Sequence, residues 1–89
     1  MKIRKGFLLR EVGGEPVVVT VGETEGGFRG MISLNSTGAF IWKCLEQDTT
    51  QEEVLEKIID AYPVDRKTAA NDLQRILSAL RDHHILEEP

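Results

Sequence analysis

The period of the hydrophobic pattern changes at Leu34, and that change limits the chain to strands first and helices afterwards. In the stretch LNSTGAFIWKCL, from Leu34 to Leu45, Gly38, Ile41, Trp42 and Leu45 recur at spacings of three and four, the signature of one helical face. An Asn or Ser just ahead of them is suited to cap the helix. Trp42 is the single tryptophan, and on the inner face of a short helix it brings more apolar area than any other side chain. The centre of the fold is therefore expected here.

Upstream, the period is two. Phe7 to Val12 (FLLREV) reads as a strand closed by Gly13-Gly14-Glu15-Pro16, where glycine supplies the positive φ of a tight turn. Val17 to Gly22 reads as a second strand, β-branched through Val21, with Val17, Val19 and Val21 on one face and Val18 and Thr20 on the other. After the polar GETEGG loop, Phe28 to Ser33 reads as a third strand with an apolar residue on each face. In a three-stranded meander the last strand is an edge, and an edge offers its unpaired amides and carbonyls to an extended peptide. Gly30 either leaves room for such an approach or marks a bend.

Downstream, helices are predicted over residues 36–46, 51–61 and 66–82. The second opens on a capping box, Thr50-Gln51-Glu52-Glu53, carries Val54, Leu55, Ile58, Ile59 and Tyr62 inward, and stops at Pro63. Asp65 can cap the third, whose stripe is Ala69, Leu73, Ile76, Leu77 and Leu80. The closing Ile85 and Leu86 are expected to pack back on the core. The fold class is thus α+β, a winged helix-turn-helix in which a three-stranded antiparallel sheet precedes three helices within one domain spanning residues 1–89.

Composition removes several functions. Eighty-nine residues suffice for one modest core. No apolar run approaches the roughly 20 residues that cross a bilayer, and no secretory signal precedes the domain, so a cytoplasmic protein with no membrane partner is expected. Cys44 is the only cysteine, which excludes an internal disulfide and a multi-thiolate zinc site. Its phase beside Trp42 suits a small buried hydrophobe. His83 and His84 are adjacent, so they do not face one metal together. No phosphate-binding glycine loop and no serine with a base is present, so neither catalysis nor a cofactor is expected. Residues 1–33 carry five basic and four acidic side chains, whereas residues 34–89 carry six and eleven. The helical half, which would have to meet nucleic acid, is the acidic one.

A binding module remains, and two surfaces compete. A DNA-reading third helix would present Arg66, Lys67, Arg75 and Arg81 but also Asp65, Asp72 and Asp82. The other surface is the third strand beside the third helix, open to an added peptide strand whose alternate side chains enter the groove between them.

Leu34-Asn35 with Gly38, Ile41, Trp42 and Leu45, then the Thr50 to Ile59 helix with Tyr62-Pro63, then Asp72-Leu73 to Leu80 closing at Ile85-Leu86, form an ordered set that resembles the PqqD family over residues 34–86. These are the small proteins of pyrroloquinoline quinone biosynthesis, among them the precursor-peptide recognition elements of ribosomal peptide maturation. The resemblance implies a peptide-binding domain that takes the leader segment of a precursor peptide by strand addition and presents it to a modifying enzyme, such as a radical-SAM protein. Carried over by position, the pairing strand is Phe28, Arg29, Gly30, Met31, Ile32 and Ser33, and the wall on the third helix is Lys67, Ala70, Asn71, Gln74 and Ser78. Arg29 and Lys67 are expected to meet acidic leader residues, and Met31 and Leu73 to line apolar pockets. The alternatives at this point are a winged-helix DNA-binding domain and a self-associating domain that pairs as a homodimer.

Overall fold

The computed structural model of the protein describes residues 1–20 and 31–88. In chain order the elements are β1 (Lys2–Ile3), β2 (Phe7–Val12), β3 (Glu15–Thr20), β4 (Met31–Ser33), α1 (Ser36–Leu45), α2 (Gln51–Ala61), α3 (Arg66–Asp82) and β5 (Leu86–Glu87). The architecture is α+β, with the antiparallel sheet β2-β3-β4 followed by three helices. Residues 21–22 and 28–30, expected in the second and third strands, lie outside the described residues.

The first hairpin is tighter than expected. Gly13 and Gly14 both take positive φ, 60° and 84°, so two residues complete the reversal and pairing resumes at Val12↔Glu15. The strand therefore starts at Glu15, two residues before its β-branched run.

Each helix begins where its cap lies. Asn35 Oδ1 accepts the Gly38 amide at 2.7 Å, Thr50 Oγ1 the Glu53 amide at 3.1 Å, and Asp65 Oδ1 the Thr68 amide at 3.0 Å. The expected capping box is changed in one detail: the Glu53 carboxylate accepts from the Thr50 hydroxyl. Tyr62, ahead of Pro63, is extended (φ −130°, ψ 146°) and ends α2. At the end of α3 the Ile85 amide donates to the Leu80 carbonyl at 2.9 Å and the His84 amide to that of Arg81 at 3.0 Å. This is a Schellman motif with His84, rather than glycine, in the left-handed conformation at φ 57°.

One core results. Phe7 and Val18 from the sheet meet Ile41, Trp42 and Leu45 of α1, Val54, Leu55 and Ile58 of α2, Ala69, Leu73, Leu77 and Leu80 of α3, and Ile85 and Leu86. Leu9, Ile32 and Leu34 pack at its margin, as do Cys44, Ile59, Tyr62 and Ile76. Partial burial raises the Cys44 thiol pKa.

A second, two-stranded sheet was not foreseen. β1 pairs with β5, Lys2↔Glu87 and Ile3↔Leu86, and the Arg4 amide extends the pairing to the Ile85 carbonyl at 2.8 Å. The Met1 ammonium donates to Asp48 Oδ1 at 2.9 Å and to the Thr49 carbonyl at 2.8 Å, so this clasp is also tied to the turn after α1.

Candidate functional site

β4 is the last strand of its sheet and pairs with β3 alone among the described residues. Which of its backbone groups remain open follows from the ladder. The Leu34 amide donates to the Pro16 carbonyl at 2.9 Å, making residues 16 and 34 a hydrogen-bonded pair. Alternation along an antiparallel ladder makes Val18↔Ile32 the next such pair and turns the amides and carbonyls of Met31 and Ser33 to the open side. Counting from the closing pair of the hairpin, Val12↔Glu15, gives the same parity. It also explains Pro16: the amide this residue lacks would have faced β4 at the very end of the sheet. Ile32, whose backbone is spent on Val18, instead sends its side chain to the core margin.

The helix expected to face this strand presents two shoulders beside its buried stripe. Lys67, Asn71, Gln74 and Ser78 are exposed and Ala70 is half-buried, all on one shoulder; Asp72 and Ile76 are half-buried on the other. Leu73 is a core residue at 1% exposure, so its side chain offers no free surface to a pocket. Phe28, Arg29 and Gly30 fall outside the described residues, and of Met31 only the backbone enters the description.

Charges along α3 are largely paired within the molecule. Arg66 meets Glu56 and Glu52, Arg75 meets Asp72 at 3.3 Å, and Arg81 grips both carboxylate oxygens of Glu88. These bonds raise the pKa of the Arg66 and Arg81 guanidinium groups and lower that of the Glu88 carboxyl. Among the described residues Lys67 is the cation of α3 that has no ion-pair partner. A helix whose arginines are already neutralised is poorly equipped for a phosphate backbone. Among the described residues no group of three or more His, Cys, Asp or Glu side chains is placed to hold a metal ion, and no helix is long and apolar enough to cross a membrane.

Sequence reasoning could place the edge strand but not its parity. Which of Met31, Ile32 and Ser33 points outward depends on how the ladder starts, and that is set by a hydrogen bond to Pro16, which no local pattern shows.

Fold and edge together define a winged helix-turn-helix domain whose wing ends in a strand that, among the described residues, is paired on one side alone. The family model of PqqD, coenzyme PQQ synthesis protein D, matches residues 17–86, and the chain belongs to that family. Two solved structures are similar over nearly their whole length. TbiB1 in complex with the TbiA(beta) leader peptide is 30% identical, with 100% of this chain and 98% of that chain covered and a TM-score of 0.78. A lasso peptide synthetase B1 complexed with the leader peptide is 18% identical, covers 98% and 96%, and has a TM-score of 0.74, a likeness of fold. Comparison with curated proteins gives no match.

Proposed function

We infer that this chain is a recognition module for the leader segment of a ribosomally made precursor peptide. The observation that carries the inference is the outward backbone of Met31 and Ser33, which no described residue meets, in a domain that matches over its full length a protein solved with a leader peptide. An antiparallel guest strand exchanges hydrogen bonds with those two residues, one wide-spaced position apart, and gains affinity without sequence constraint. Selectivity comes from side chains: those of the guest that fall on the core side run along α3, where Lys67 attracts acidic residues and Ala70, Asn71, Gln74 and Ser78 form a shallow wall. The chain itself contributes binding and no catalytic step; the chemistry belongs to a modifying enzyme, with a radical-SAM protein as one candidate.

The test is titration of the isotope-labelled domain with the TbiA(beta) leader peptide and with the leader of any short open reading frame beside its gene. Binding is expected to slow amide exchange at Met31 and Ser33 while Ile32, already bonded to Val18, changes little. A bound leader that leaves both outward amides exchanging at their free rate overturns strand addition at this edge.

A further inference from the structure

The wing has a second open edge. β2 pairs with β3 alone among the described residues, and the parity that turns Val12, Arg10 and Leu8 toward β3 turns the backbone of Leu9 and Glu11 away from it. Among the described residues no backbone partner meets Leu9 or Glu11 on that side; the Leu9 carbonyl is instead taken by Arg10 Nη1 at 3.1 Å. This edge borders a cleft of about 510 Å³ between the hairpin and α1, lined among others by Leu9, Arg10, Glu11, Phe40, Lys43 and Tyr62. Its aromatic wall is a T-shaped pair, Phe40 and Tyr62, with ring centroids 5.3 Å apart and planes at 84°. Arg10 and Lys43 have no acidic partner among the described residues, Glu11 included. Two cations against one carboxylate stand out on a chain of net charge −4.

We propose that the β2 edge and its cleft form a second docking site, for an extended acidic segment of a partner protein, the enzyme that acts on the bound leader. The proposal rests on the leader-recognition reading for the partner's identity, but its geometry is independent, since β2 and β4 lie on opposite sides of β3. The segment pairs with Leu9 and Glu11, seats an aromatic or aliphatic side chain against Phe40 and Tyr62, and presents a carboxylate to Lys43 and Arg10. Two guests are then held on one wing at once.

The probe is a blocked hexapeptide alternating valine or tyrosine with glutamate, and its control has lysine for glutamate. The acidic peptide is expected to shift the Leu9 and Glu11 amides and the Phe40 and Tyr62 rings, equally with and without saturating TbiA(beta) leader peptide. Lys43→Glu, on the exposed face of α1, is expected to weaken it by about fivefold and to leave leader affinity unchanged. Glu11→Pro removes an outward amide without touching the β2–β3 ladder and is expected to abolish the shifts. Shifts confined to Met31 and Ser33, equal binding of the lysine peptide, or a dimer that Glu11→Pro disperses each overturn the proposal. If the leader fails to bind but the acidic peptide still docks at β2, the leader reading falls and the second site stands.

Discussion

Proline placed at three successive positions of β4 tests the ladder parity directly. Ser33→Pro removes an amide that points away from β3, and proline is tolerated on the open side of an edge strand. The loss of one hydrogen bond is worth about 1 kcal/mol, and the guest carbonyl left without a donor adds about as much again. We expect leader affinity to fall by roughly thirtyfold, about 2 kcal/mol, while the melting temperature stays within ~3 °C of the parent. Ile32→Pro has the opposite signature. Its amide serves the carbonyl of Val18, a residue with no exposed surface, and its side chain packs at the core margin. Orphaning that carbonyl and losing apolar contact sum to about 3 kcal/mol, or ~15 °C in melting temperature for a domain of this size. Met31→Pro should follow Ser33→Pro. Circular dichroism melts and fluorescence anisotropy with a labelled TbiA(beta) leader peptide read the two quantities separately. If Ser33→Pro binds as the parent does, or Ile32→Pro is as stable as the parent, the parity is wrong and so is the site built on it.

Three further outcomes follow from the caps and ion pairs. His84→Gly places glycine at the left-handed residue of the Schellman motif; we expect a gain of about 0.5 kcal/mol, the relief of αL strain less the extra freedom of an unfolded glycine, seen as a rise of ~2–4 °C. Asn35→Ala leaves the Gly38 amide without its acceptor and should cost about 1 kcal/mol by urea denaturation. The Asp65 and Glu88 carboxyls are lowered in the folded state by the Thr68 amide and the Arg81 guanidinium, so the unfolded chain binds more protons in acid. Their contribution is therefore complete above the ordinary carboxylate range and is lost as pH falls below about 4; Glu88→Gln should flatten part of that decline in melts across pH.

The helices were legible because each carries its own boundary signals: Thr50 and Asp65 before the apolar stripes, Pro63 after α2, and the Ile41-Trp42-Leu45 face that the core is built around. The strand content of the wing was legible from period two. Its hairpin boundary was read two residues late because Glu15 and Pro16 look like turn residues, whereas two glycines at positive φ complete the turn alone. Leu73 shows a limit of another kind: its place in the stripe marks it as apolar and inward, but only the packing shows that nothing of it is left for a ligand. Pairings between distant residues left no local trace, which is why the β1–β5 clasp and the meeting of Phe40 with Tyr62 had to come from the structure.

The clasp sets an order on folding. Because Lys2 pairs with Glu87, its closure encloses almost the entire chain, and a loop that long is a late event: the helices and the wing come together first and the termini knit afterwards. The wing lies in a separate sheet, so fraying of the clasp leaves the backbone of β4 in place.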